Sequence, residues 1–200
     1  GVRGFVVFLR DAGATFRGEA RIETPGGIVR AQILESGMVR ATMGEAPQLD
    51  PAKVPMRAAE QAAHYEVLVD GVPVSLGAVS LGNPHAVLTV ASVQSAPVAT
   101  LGPAIQALDE FPDGVNVGFM QVISREQIRL RVFERGVGET LACGSGACAA
   151  VVVGRIQGKL GPRVRVDLAG GALDIEWPGP GQPAIMSGPT AIIFKAEVEL

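Results

Sequence analysis

Cysteine, histidine and lysine are scarce in this chain of 200 residues, and each shortage closes off a class of chemistry. Two cysteines, Cys143 and Cys148, are too few for a disulfide scaffold and have too few ligand-type neighbours for a structural zinc site. A reducing cytoplasm is therefore the expected compartment. Two histidines, His64 and His85, stand about twenty residues apart, which argues against a histidine-rich metal cluster. Three lysines, Lys53, Lys159 and Lys195, all lie outside any glycine-rich phosphate-binding context, so a lysine-bound pyridoxal phosphate is not expected. Long apolar runs are missing as well. The Ala147 to Val153 stretch is far below the roughly 18 residues that span a bilayer. Basic charge is not in excess, with 17 Lys and Arg against 20 Asp and Glu, so nothing favours nucleic acid or an anionic membrane.

What is present is apolar material: 48% hydrophobic residues against 18% charged, enough for a folded core of one or two domains. A small molecule or another protein is the expected partner. The chain starts at Gly1 and enters apolar structure at Val2 to Leu9, which reads as a fragment of a longer protein without a leader.

Periodicity and turn residues predict a helix over about 2–12, strands near 19–24, 27–34 and 37–43, and a Pro-rich junction from Glu45 to Pro55. Strands follow at about 65–69, 72–80 and 85–90, then a helix at 99–109 and strands at 115–123 and 128–134. A second apolar helix is expected at 144–158, and strands at 163–168, 171–177, 183–187 and 191–199. The fold class is α+β. An internal repeat is legible: the apolar run 149–153 falls over 4–8, Gly158 over Gly13 and, after a one-residue shift, Gly170-Gly171 over Gly26-Gly27. Both copies read helix, glycine stop, strand, Gly-Gly turn, strand, strand.

The run Glu134-Arg135-Gly136-Val137-Gly138-Glu139-Thr140-Leu141-Ala142-Cys143-Gly144-Ser145-Gly146 leads from a strand through a glycine turn into the second apolar helix. It sets one thiol at a helix N-terminus, where unpaired N–H groups and the macrodipole favour anions. A lowered Cys143 pKa and a carboxylate cradle are the expected results. Cys143 alone reads as a small buried hydrophobe, but the glycines and the Glu-Arg pair beside it favour chemistry. Cys148, among alanines one turn on, reads as structural. In Gly82-Asn83-Pro84-His85 a turn presents Asn83 and His85 at a strand end, although an isolated histidine is more often structural. Asn116 interrupts an apolar strand, so its amide needs a partner, either a ligand or a turn.

Taken together, GNPHAV at 82–87, NVGFMQV at 116–122, ERGVGETLACGSGACAA at 134–150 and MSGP at 186–189 resemble the diaminopimelate epimerase family. The resemblance runs in order along the whole chain. It implies two pseudo-symmetric lobes, each a central helix wrapped by a curved, mostly antiparallel sheet. Residues 1–43 would be the remnant of an incomplete first lobe, 44–188 a complete second lobe, and 189–200 a C-terminal strand returning to the first. It further implies cofactor-independent inversion between LL- and meso-diaminopimelate, on the route to lysine and peptidoglycan, by two thiols facing opposite sides of the substrate Cα. Cys143 would be the second-lobe acid/base, and Gly144 and Ser145 would donate N–H groups to the reacting carboxylate. Asn83, Asn116, Glu134 and Arg135 would line the substrate pocket, while His85 and Glu134 would tune the cysteine pKa values.

Two departures stand out against the family pattern. Gly1 corresponds to the last glycine of the family's first CGNG-like motif, so the chain as written carries one catalytic cysteine of the two, and activity of these 200 residues alone is not expected. A C-terminal tyrosine that the family uses in dimerisation is Phe194 here, which weakens the expectation of a homodimer. The rival readings are a proline racemase or hydroxyproline epimerase on the same architecture, a more distant phenazine-biosynthesis-like isomerase, and an inactive remnant of the fold.

Overall fold

A computed structural model describes residues 1–16, 18–24, 27–194 and 196. The chain opens with helix α1 (Val2–Asp11), followed by strands β1 (Ala20–Thr24), β2 (Gly27–Ile33) and β3 (Val39–Thr42). The middle contains β4 (Tyr65–Val69), β5 (Val72–Ser80), β6 (Pro84–Thr89), helix α2 (Val98–Gln106), β7 (Asn116–Ser124), β8 (Gln127–Glu134) and the short β9 (Gly138–Thr140). Helix α3 (Gly144–Ile156) precedes β10 (Arg163–Leu168), β11 (Gly171–Glu176) and β12 (Ile185–Gly188). The α+β class is as read from the sequence. No helix among the described residues is long and apolar enough to cross a membrane.

The strands follow one hydrogen-bonded path, β1-β2-β3-β12-β11-β10-β8-β7-β6-β5-β4, with β9 joined to β8. Its order displays the repeat. α1-β1-β2-β3 and α3-β10-β11-β12 are each a helix followed by an antiparallel meander, and they meet through their last strands. β3 and β12 pair antiparallel from Val39↔Gly188 to Thr42↔Ile185, as a local two-fold relationship requires. Most pairings are antiparallel. The two parallel ones, β6 with β7 and β8 with β10, are bridged by α2 and α3, the crossover that parallel strands need.

Both repeated helices stop in the same way. Gly13 and Gly158 have φ of +90° and +72°, a region that suits glycine. The N–H groups of Ala14 and Lys159 return to Leu9 and Gly154, and those of Gly13 and Gly158 to Arg10 and Arg155, the double bond of a Schellman stop. The helices differ in burial. α1 buries only Val6 and Val7, against Val29, Ala31, Val39 and Ala41, a single apolar stripe on a small sheet. α3 is buried continuously from Gly146 to Gly154, as a helix apolar on every side must be. Its small residues let sheet residues such as Val79, Val132, Val166 and Ile175 close around it. A third cluster, with Val98 and Ile105 of α2 and Phe111, Val117 and Phe119, lies beside it.

Within the Pro-rich stretch 45–55, Gln48 bridges Ser80 at the end of β5, and Val54 is fully buried. Two local expectations need correction. Residues 138–140, read as part of a glycine turn, form β9. The strand expected at 191–199 is not formed by its described residues, since 191–194 and 196 run without regular structure; the rest lies outside the described residues.

Candidate active site

The N-termini of α1 and α3 open onto one cavity of about 540 Å³. Gly1, Val2, Arg3 and Gly4 line it from the first turn of α1, and Ala142, Gly144 and Ser145 from the approach to α3. Ala41, Met43, Leu173 and Met186, from the strands on either side of the β3–β12 seam, add apolar walls. The first N–H groups of a helix have no intrahelical acceptor, so two sets of donors face a shared space suited to a carboxylate. Gly144 is needed for the close approach, since a Cβ there would stand 3.0 Å from Met186 Sδ.

Cys143 is the N-cap of α3, in extended conformation at φ −137°, between Ala142 and Gly144 of the cavity wall. Only 6% of the residue is exposed. Its Sγ donates to Glu134 Oε2 at 3.0 Å and lies 3.6 Å from Ser145 Oγ. The fold-back of β9 along β8 creates this meeting, because it returns the chain from Glu134 to the helix start within nine residues.

The lowered thiol pKa expected from the helix terminus is not found. Burial, with the Glu134 acceptor adding to it, pushes Cys143 from 9.0 up to about 11, while Ser145 and the Gly146 backbone pull the other way. A helix terminus is worth about 0.3–1 kcal/mol, whereas this rise corresponds to roughly 3 kcal/mol in favour of the thiol, so burial wins. Cys148 is fully buried and pushed up to about 12, chiefly by burial.

Of the sequence-predicted residues only Gly144 and Ser145 line the cavity; Cys143 sits just beneath the wall between Ala142 and Gly144, and the others do not line it. Asn116 is buried, with Nδ2 donating to Pro84 O at 3.0 Å and Oδ1 accepting from the Arg135 backbone N–H at 3.0 Å. Its partners are therefore main-chain groups, and it ties the Asn83-Pro84-His85 turn to the start of the Glu134–Cys143 segment. His85 is 1% exposed and lies 3.2 Å from Asn83 Oδ1 through Nε2. Burial, and secondarily Arg135, pushes it from 6.5 down to about 3, so it is neutral. Glu134, not His85, is the neighbour that shifts Cys143. Arg135 is exposed and donates to Asp113 O at 2.6 Å. Two features escaped the sequence reading: Thr140 Oγ1 donates to Glu134 Oε1 at 2.5 Å, and Arg131 grips Glu139 on β9.

The sequence model of the family described as diaminopimelate epimerase matches residues 77–193. A diaminopimelate epimerase of Pseudomonas fluorescens is 50% identical over 200 residues, covering all of this chain and 72% of its own length. That of Alkalilimnicola ehrlichii is 54% identical over 202 residues with the same coverage. The chain belongs to the diaminopimelate epimerase family. Within solved structures, a hydroxyproline epimerase of Agrobacterium vitis superposes with a TM-score of 0.67 at 15% identity, over 94% of this chain and 63% of that one. At that identity the likeness is one of fold. The family match contains the whole Glu134–Ala150 segment, and the curated relatives extend it through the first module.

Proposed function

We propose that the protein inverts the α-carbon of diaminopimelate between the LL and meso forms by direct proton transfer, as a cytoplasmic enzyme of lysine and peptidoglycan precursor synthesis. One observation carries this reading: a hydrogen-bonded thiol–carboxylate pair, Cys143 and Glu134, at the start of α3, where the flanking Ala142, Gly144 and Ser145 line a cavity that the first turn of α1 also lines. An amino-acid α-proton is weakly acidic, so negative charge developing on the carboxylate needs preorganised donors. The first-turn N–H groups of both helices, those of Gly144 and Ser145 among them, meet that need without reorganisation.

Cys143 carries its proton at neutral pH and begins as the acid. It delivers that proton to one face of Cα; the base that takes the Cα proton from the other face would be the second thiol of the family pattern, a role that none of Gly1, Val2, Arg3 and Gly4 on the α1 side of the cavity supplies. In the reverse direction the roles exchange. Glu134 Oε2 gives the Cys143 proton a place to go when Cys143 must act as base. Cys148 is not the opposing group, because it is buried one turn along the same helix. Asn116 serves this segment by fixing its main chain at Arg135. The reaction proceeds without pyridoxal phosphate. Lys159 is bound to Thr89 and Gln157, Lys53 is exposed, and neither lines the cavity; Lys195 lies outside the described residues. Ile193 and Phe194 are exposed near the C-terminal end, in keeping with a homodimer contact there.

The test is incubation of the intact protein with LL-diaminopimelate in heavy water. Solvent deuterium at Cα together with the meso isomer is expected. Exchange with proline or hydroxyproline and none with diaminopimelate overturns the assignment.

A further inference from the structure

The Glu134 carboxylate is held at both oxygens. Oε2 accepts from Cys143 Sγ at 3.0 Å, and Oε1 accepts from Thr140 Oγ1 at 2.5 Å. Thr140 is itself fixed. It ends β9, paired with Val132 of β8, and its neighbour Glu139 is clamped by Arg131 through two parallel bonds of 2.6 and 2.8 Å. The same guanidinium donates to Val93 O at 2.8 Å, which anchors the clamp to the loop before α2. The route runs from a rigid ion pair, through a short strand, to a hydroxyl aimed at one oxygen of the carboxylate that meets the thiol.

We propose that Thr140 is a positioning residue for acid/base chemistry at Cys143: its hydroxyl fixes the rotation of the Glu134 carboxylate, so that Oε2 stays aimed at the thiol. The terminal torsion of a glutamate is broad and roughly two-fold, so nothing in the side chain itself holds one oxygen on Cys143. A hydroxyl donor at the far oxygen removes that freedom. The groups of charge or titratable character around this site are Glu134 from β8, Cys148 further along α3, and Arg3 from α1, which acts on Cys148. This inference deepens the proposed reaction and rests on it for the catalytic role, but the thiol–carboxylate geometry is measurable without substrate.

The bland role for Thr140 is that of a β-branched strand residue, and valine fills that role equally well. The experiment is therefore the pH profile of Cys143 alkylation by iodoacetamide in the intact protein, mapped by mass spectrometry, for wild type, Thr140→Val and Thr140→Ser. In Thr140→Val the carboxylate turns away, the thiol loses its acceptor, and alkylation at pH 8 rises about ten-fold. Thr140→Ser keeps the wild-type profile. Thr140→Ala gives the same result as valine and decides the matter if valine fails to fold. In a Glu134→Gln background, Thr140→Val adds no further change. Superposed profiles for wild type and both hydroxyl-free variants, a serine variant that behaves like valine, or an additive effect on Glu134→Gln would each overturn the proposal. Turnover provides the second readout: kcat for inversion falls about ten-fold in Thr140→Val with KM unchanged, and serine restores it. Failure of wild-type isotope exchange would refute the reaction, whereas failure of the alkylation series would refute the role of Thr140.

Discussion

Gly146 packs against the side chain of Cys143, such that a methyl group on its α-carbon would stand 3.3 Å from both Cβ and Sγ and 3.1 Å from Val132 Cγ2. The glycine thus fixes how deep the thiol sits beneath the helix start. Gly146→Ala gains helix propensity of up to about 1 kcal/mol but must displace either the thiol or Val132. The expected outcome is a melting temperature within a few degrees of wild type and an inversion rate reduced about ten-fold or more. Equal activity at equal stability would show that the position of the thiol is not critical.

The two thiols should titrate high and in order. Cys143 is pushed up to about 11 and Cys148 to about 12, both mainly by burial. Folding retains each proton above its ordinary 9.0, so the associated stability is fully present below pH 9 and is lost as pH rises through 11 to 12. Urea midpoints should fall across that range. At pH 8, iodoacetamide should modify Cys143 more slowly than a free cysteine; a rate equal to or above that of the free amino acid would contradict the burial argument.

Cys143 and Cys148 should separate on mutation. Cys143→Ala abolishes inversion while leaving the fold intact. Cys148→Ala costs about 1 kcal/mol through the small void left in a sealed helix face, and inversion is largely retained. Equal tolerance at both positions, measured as kcat/KM, would undo the assignment of roles.

His85 should register in acid. The folded state holds it neutral, down to about pH 3, chiefly through burial and then through Arg135. Below pH 6.5 the unfolded chain takes up a proton that the folded chain refuses, so stability is present above 6.5 and is lost as pH falls toward 3. Between pH 6.5 and 5 this removes roughly 2 kcal/mol. The difference in urea midpoint between wild type and His85→Gln should shrink over that interval; a constant difference would mean that the ring protonates in place.

Gly13 and Gly158 should behave as equivalents. Both sit past a helix end with positive φ, and a methyl group at either would meet nothing within 4 Å. Alanine at either position therefore carries a conformational penalty alone, about 1 kcal/mol in each case. Unequal losses would show that the two modules differ in more than their surroundings.

Local signals were readable in the chain; tertiary ones were not. The glycine stops, the Gly-Gly hairpin and the meanders recur at matching positions, and their order disclosed the duplicated architecture before any coordinates. The motif around Cys143 revealed the helix start. The direction of the thiol shift was hidden, because it depends on what surrounds Cys143 in space, and a three-residue return strand supplies much of that. β9 was itself hidden: it begins at Gly138, two residues after Gly136, both at positive φ, where local pattern reads as turn. For Asn116 the sequence showed only that a strand amide needed partners. Choosing main chain required Pro84 and Arg135, 32 and 19 residues away, to be brought alongside it.

The antiparallel pairing of β3 with β12 gives the protein a fixed gauge. Peptide geometry, rather than any side chain, sets how far apart the starts of α1 and α3 stand, so substitution in the walls can reshape the chamber but not its width. Selectivity between long and short amino acids is then expected to follow wall residues such as Met43, Leu173 and Met186. Altered preference is to be sought by exchanging those side chains, while the jaws keep their span.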